Sequence, residues 1–287
     1  RYYADGNFQN LPLSMLDPVL RTVVSQTAGR ADARLNIAGE GRAAKLNGEV
    51  KVADLSTMVD FTRARYSVES ATVRVENNHF IANNVRVSDT EQNSGTFTMD
   101  LSLDHLSNIA YNMRVVPRNM IVLNTTAQDN DLFYGKVYGS GTATIQGDKS
   151  GTTLDITGTT QGNSQFFMPL SSKSDISSAD FVVFEQPGVE LDTTNYLQRK
   201  KMAFERRSRS STTSSGSNMS INIELTATPT TEVQLVIDPT VGDIIRGRGN
   251  GTLNMHIVPS SNIFDMYGDY TITEGSYLFT LQNIINK

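Results

Sequence analysis

Cysteine is absent from the chain's 287 residues. That excludes disulfides, thiol catalysis and thiolate-held metals, and it fits a reducing or an oxidising compartment equally well. Histidine occurs only as His79, His105 and His256, without the spacing of a metal site. Long apolar runs are missing too. Met120–Leu123 and Phe181–Phe184 are the longest bulky ones, far too short to cross a bilayer. No basic stretch followed by an apolar core opens the chain, so no signal peptide is read there. Arg1 reads as a position inside a longer protein whose export signal would lie upstream. With 38% hydrophobic residues, a net charge of −5 and a mean hydropathy of −0.30, the chain is water-facing and slightly acidic.

What is present is alternation with period two, the mark of strands. In Lys45–Val52, residues Leu46, Gly48, Val50 and Val52 face one way and Lys45, Asn47, Glu49 and Lys51 the other. Gly95–Leu103 opposes Phe97, Met99, Leu101 and Leu103 to Thr96, Thr98, Asp100 and Ser102. Leu154 with Ile156, Ile221 with Ile223 and Leu225, and Val233 with Leu235 and Ile237 continue the pattern. Arg246–Ile257 is the cleanest case, with Gly247, Gly249, Gly251, Leu253, Met255 and Ile257 on one face. Asn77-Asn78, Asn83-Asn84, Gly147-Asp148 and Asn262 read as turns between these runs. Strict alternation predicts antiparallel sheet with one wet face. One short amphipathic helix is expected near the N-terminus: Asp17 caps it, Pro18 opens it, Val19, Leu20, Val23 and Val24 form its stripe, and Gly29 stops it. It cannot cover roughly twenty half-greasy strands, so the apolar face must meet another sheet, itself or a ligand.

The motifs that would carry chemistry fail one by one. Asp129-Asn130-Asp131 starts like a cation loop but lacks the later glycine and glutamate. Gly139-Ser140-Gly141 and Gly247-Arg248-Gly249 lie inside strand patterns with no helix after them, so they are not phosphate loops. No nucleophile elbow occurs. No enzymatic activity, cofactor or metal is expected. Residues 198–219 break the alternation: Arg199, Lys200, Lys201, Arg206, Arg207 and Arg209 stand against the single acid Glu205, followed by the Ser/Thr tract Ser210–Ser217. This reads as a mobile basic insertion, with attachment to anionic lipid head groups as the weaker alternative. The rest of the chain is correspondingly more acidic, which argues against a nucleic-acid partner.

The alternating glycines let another backbone approach closely and let a sheet bend. They share a face with Val137, Ala143 and Ile145, and with Leu253, Met255 and Ile257. A sharply curled sheet with a narrow apolar interior follows; a tight sandwich or barrel corner would use the same glycines.

Asp131–Ala143, which carries Tyr134-Gly135 and Gly139-Ser140-Gly141, continues through Ile145-Gln146-Gly147 and Gly162 to Phe166–Leu170. Val233–Ile257 is followed by Gly268-Asp269-Tyr270-Thr271-Ile272 and Gly275-Ser276-Tyr277-Leu278-Phe279. Together these stretches resemble the C-terminal signature of the TamB family, in the version of Bacteroidetes-type bacteria. Leu11-Pro12-Leu13-Ser14, Gly29, Ile37-Ala38-Gly39 and Gly48 are similar to the start of a repeat in that family. The resemblance covers most of residues 1–287, read as one continuous segment of a longer protein. Family members continue past Phe279 with a Gly-Gly and a tryptophan-containing strand, whereas this chain has no tryptophan, so the extreme C-terminus and the anchor are expected to lie outside it.

The resemblance implies an elongated β-taco, an AsmA-like bridge whose curled sheet encloses an apolar groove. It also implies a periplasmic setting with an inner-membrane anchor in the full-length chain, an outer-membrane barrel partner of the TamA/BamA type, and phospholipid transport between the membranes. Met99, Leu101, Val137, Ile145, Leu235, Ile237, Leu253, Met255, Tyr277 and Phe279, all on apolar strand faces, are the candidate contacts for phospholipid acyl chains. Two other functions compete: an outer-membrane protein assembly factor that offers sheet edges by β-augmentation, and a structural or adhesive β-solenoid with a self-packed interior. About twenty strands at ~4.8 Å each predict a trough on the order of 100 Å long.

Overall fold

The computed structural model describes residues 1–287 except 18–22, 41–42, 105–107, 131–132, 170–217, 239–242, 262, 279, 282–284 and 287. Fifteen strands form one sheet. They are β1 (Tyr2–Pro12), β2 (Val24–Glu40), β3 (Ala43–Val59), β4 (Ala64–Glu76), β5 (His79–Asp89), β6 (Ser94–Asp104), β7 (Asn108–Val116) and β8 (Met120–Thr125), then β9 (Tyr134–Asp148), β10 (Gly151–Thr160), β11 (Gln165–Pro169), β12 (Met219–Ala227), β13 (Glu232–Asp238), β14 (Asp243–Val258) and β15 (Ile263–Leu278). Two further strands, Thr280–Leu281 and Ile285–Asn286, pair only with each other.

The all-β, curled architecture is as the alternation predicts, but four details differ. The expected amphipathic helix is not seen among the described residues, since 18–22, with Pro18, Val19 and Leu20, lie outside them. Leu13–Leu16 is a single 3-10 turn, and Val24 begins a strand that runs straight through Gly29. Val24 and Gly29 serve the sheet because their neighbours on β3 offer backbone partners along almost the whole of β2. Asn77 and Asn78 do close the two-residue hairpin between β4 and β5, both at positive φ. Asn83-Asn84, by contrast, is a bulge inside β5, with the register slipping between Ala82 and Val85. Gly147 and Asp148 are still strand, and the turn comes after them. Nor is the sheet wholly antiparallel: β10 pairs with β12, and β11 with β13, in parallel. Parallel neighbours need a long crossover, and 170–217 separate these two pairs in the chain. Most of the basic insertion expected at 198–219 lies there, outside the described residues, while Met219 is the first residue of β12.

The curl has a local cause. β7 and β8 lie end to end along one edge of β9, β10 and β11 along its other edge, and β12 and β13 along one edge of β14. The breaks fall side by side. Thr160 pairs with Gly139 and Gln165 with Lys136; Ala227 pairs with Gly251 and Glu232 with Arg248; β15 is bulged between its partners for Arg248 and Gly249. This line is a crease, and its backbone groups are satisfied by short hydroxyl side chains. Thr160 Oγ1 accepts from the Thr228 N–H (3.0 Å) and the Thr231 hydroxyl (2.6 Å). Ser164 Oγ accepts from the Tyr138 N–H (3.0 Å) and donates to the Gln161 carbonyl (2.6 Å). Thr160, Ser164 and Thr231 are all buried. Each long strand is thereby divided into two limbs that face each other across the inner, apolar side.

Candidate functional site: the inner face and its aromatic closure

Directly paired residues share a face of a sheet, and the registers carry one apolar rung across eight strands. It runs through Ala82, Met99, Met113, Ile145, Leu154, Ile221, Ile257 and Phe264, from β5 to β15. A second rung runs beside it through Phe97, Val115, Ala143, Ile156, Ile223, Met255 and Met266. The rung between them is polar and faces outward: Thr98, Arg114, Thr144, Asp155, Asn222, His256 and Asp265. The rung on the other side of the first, Asp100, Asn112, Gln146, Thr153 and Ser220, does the same. The twelve successive strands from β1 to β15 span ~50 Å at ~4.8 Å each, half the length expected from about twenty strands. Two surface depressions border the polar side. The larger, about 640 Å³, is lined by His79, Asp100, Asn112, Gln146 and Ser220 among others.

The inner face is not uniform. In the C-terminal half, residues from both limbs pack into one cluster of Leu123, Phe133, Val137, Phe166, Ile221, Val233 and Ile257, with Phe61, Leu154, Ile223, Leu235 and Phe264 against it. Phe133 is its hub. Its ring stacks on Phe166 (centroids 5.9 Å apart) and on Phe264 (6.0 Å), and it meets Phe61 edge-on (6.1 Å). Ile221 beneath is fully buried. In the N-terminal half the second cluster, Val68, Val87 and Met120 with Leu55, Tyr66, Ala71, Val85 and Phe97, stays near the bulges. Val50, Val73, Phe80, Met99, Leu101 and Met113 belong to neither cluster and are half-buried.

Two hairpin turns fasten the limbs. The turn after β5 is organised by Asp89, buried and accepting the N–H groups of Glu91 (2.8 Å), Asn93 (2.9 Å) and Ile121 (2.8 Å) as well as the Asn93 amide (3.0 Å). Tyr66 donates to the Ile121 carbonyl at 2.8 Å, and burial, with Asp89 nearby, pushes its phenol well above the ordinary range. Glu91 reaches Lys136 and Tyr138 on β9. The Lys136 ammonium and the Tyr138 hydroxyl hold its carboxyl below the usual value. The turn after β3 reaches the segment following β8. The Asn124 N–H donates to the Thr62 carbonyl (2.8 Å), and Arg63 Nε donates to Asp129 (2.9 Å). Asp129 also accepts from the Thr126 hydroxyl and N–H, chiefly for which its pKa is lowered. Asp131 lies outside the described residues, so of the run that resembled a cation loop Asp129 and Asn130 are seen: Asp129 closes a turn, and the Asn130 side-chain oxygen accepts the Phe133 N–H at 3.4 Å. Among the described residues no group of three or more His, Asp or Glu is placed to hold a metal ion.

The candidate groove residues therefore occupy different settings. Met99, Leu101 and Ile145 are half-buried on the inner face, outside both clusters. Val137 is buried inside the closed cluster and Leu235 packs on it. Met255 is buried beside Ile223, and Leu253 is half-buried on the same strand face. Tyr277, 53% exposed, pairs with Ile245 near the end of β15. Phe279 and the side chain of Ile237 lie outside what is described. Phe61, Phe133 and Phe264 were not singled out from the sequence. Phe61 and Phe133 stand outside any alternating run, Phe61 in the turn after β3 and Phe133 just before β9, so period-two reading gave no signal for them.

An elongated antiparallel-dominated sheet, creased so that its apolar limbs face inward, defines the class: an all-β protein built on one curled, taco-like sheet. The TamB C-terminal domain matches over residues 83–286, and the chain belongs to the TamB family. The match starts within β5, so β1–β4 extend the same sheet beyond it. Searches of curated proteins and of solved structures match nothing. The family is a non-enzymatic transport or assembly family of the Gram-negative envelope that works with outer-membrane proteins of the TamA type. No helix among the described residues is long and apolar enough to cross a membrane.

Proposed function

We propose that this chain is a section of a non-enzymatic periplasmic conduit that passes phospholipid between the inner and outer membranes, its acyl chains lying on the inner face. In this reading the full-length protein is anchored in the inner membrane and meets an outer-membrane barrel of the TamA/BamA type. The observation that supports it is the apolar inner face of β6 and β7, where half-buried Met99, Leu101 and Met113 pack into neither core cluster. Each methylene exposed to water costs ~0.8 kcal/mol, so an acyl chain gains by sliding from rung to rung. Half-buried Met99 and Leu101 are placed to accept it. A photo-crosslinking side chain at position 101 should capture phospholipid in cells, and one at the outward neighbour Asp100 should not. Equal capture at both positions, or none at either, refutes the conduit.

One observation favours assembly by β-augmentation as a second reading. β15, sixteen residues long, pairs with β14 along one edge only among the described residues, and most of it is exposed.

A further inference from the structure

We propose that Phe133 is an aromatic stopper that ends the open part of the groove, so that acyl chains reach β5–β7 and are held out of the section from β9 to β15. The proposal rests on the conduit reading and adds a boundary to it. Three observations meet at this residue. Phe133 precedes β9, at the free end of one limb, and Phe264 is the second residue of β15, close to the free end of the facing limb. Their rings stack at 6.0 Å, which bridges the two limbs where the groove would open. Beneath them the cavity is filled, since Ile221 is fully buried and Phe133, Val137, Phe166, Val233 and Ile257 are all under a tenth exposed. A close-packed interior of this kind has no room for a chain of methylenes.

The stopper is also fastened. Phe61, which packs edge-on to Phe133, sits two residues before Arg63, whose guanidinium holds Asp129, while the Asn124 N–H is bonded to Thr62. The turn after β3 and the segment leading to Phe133 are thus tied at several points. Upstream, among the described residues, no such aromatic closure is seen: the cluster around Val68, Val87 and Met120 stays at the bulges, and Met99, Leu101 and Met113 on the outer reach of the limb pack into neither cluster. The structure therefore holds an accessible apolar limb and a sealed section on one continuous rung, with Phe133 at their border.

The test incubates the purified chain with phosphatidylethanolamine–phosphatidylglycerol vesicles doped with a phospholipid that carries a photoactivatable acyl chain, then maps labelled peptides by mass spectrometry. In the unaltered protein, label is expected on Met99, Leu101 and Met113 and at background on Val137, Ile221 and Val233. Phe133→Ala, or Phe264→Ala on the facing limb should Phe133→Ala fail to fold, is expected to raise Ile221 and Val137 from background to the level of Met99, with far-UV circular dichroism unchanged. Label on both sections in the unaltered protein overturns the stopper and leaves the conduit standing. Label confined to β5–β7 in every folded variant also overturns it, since the barrier then lies elsewhere. No label on any apolar rung, in the unaltered protein or in either folded variant, overturns the conduit itself.

Discussion

Replacing Asp89 with alanine removes the one carboxylate that joins the turn after β5 to β8. Asp89 is 2% exposed and accepts from four donors between 2.8 and 3.0 Å. A hydrogen bond to a charged group contributes ~1.5–3 kcal/mol. Two of the backbone donors, on exposed Glu91 and half-buried Asn93, can turn to water. The third, on Ile121, cannot, because Ile121 is 3% exposed, and a buried N–H left without an acceptor costs ~1–3 kcal/mol. Together with the lost charged bonds, partly offset by not burying a carboxylate, the expected destabilisation is ~3–4 kcal/mol. Asparagine should rescue little of it: all four partners are donors, so its NH2 group must confront two of them in either orientation. Urea unfolding followed by far-UV circular dichroism measures the effect, with Asp100→Ala as the control. Asp100 is an exposed carboxylate paired, among the described residues, with His79 at 2.9 Å, and its loss should cost no more than ~0.5 kcal/mol. If Asp89→Ala lies within ~1 kcal/mol of the unaltered protein, the buried-acceptor argument is wrong.

Gly48 lies inside β3 at φ +143°, where a Cβ would run into the Arg34 carbonyl on β2. Gly48→Ala should therefore cost ~1–3 kcal/mol in the same urea experiment, whereas Gly162→Ala, whose new Cβ would meet Thr230 at an ordinary 3.9 Å, should be close to silent. The carboxyls of Glu91 and Asp129 are held below their ordinary values of 4.5 and 3.8, the first by Lys136 and Tyr138 and the second chiefly by Thr126. Lowered folded-state values mean a contribution that is fully present above those ordinary values and is lost as pH falls through the lowered ones. The melting temperature should thus drop on acidification below pH ~4, and more shallowly in Glu91→Gln and Asp129→Asn. An unchanged acid limb in both variants would show that neither link contributes.

Period-two alternation is a local property, and it was enough to place an all-β chain with one greasy face, because a strand's side chains alternate whatever it pairs with. Lys45–Val52, Gly95–Leu103 and Arg246–Ile257 read from sequence as the strands they are, and Asn77-Asn78 as the hairpin it closes. The TamB resemblance, carried chiefly by Asp131–Ala143, Val233–Ile257 and the stretch from Gly268 to Phe279, holds over 83–286. Of the helix expected from Asp17, residues 18–22 lie outside the described residues, and from Val24 onward the stretch is strand, because a short valine-rich run suits either and pairing with β3, which no local window contains, settles it. Registers decided the rest. Only the tertiary structure lines up the breaks at Pro117, Gln161 and Thr228 into a crease and sets β10 parallel to β12 across a long connection. Only it brings Phe61, Phe133, Phe166 and Phe264 together from four distant places in the chain. Alternation tells which side of a strand is apolar. Whether that side is covered depends on what the folded chain lays against it, so Met99 and Val137 look alike in sequence while one borders an open limb and the other lies inside a sealed core.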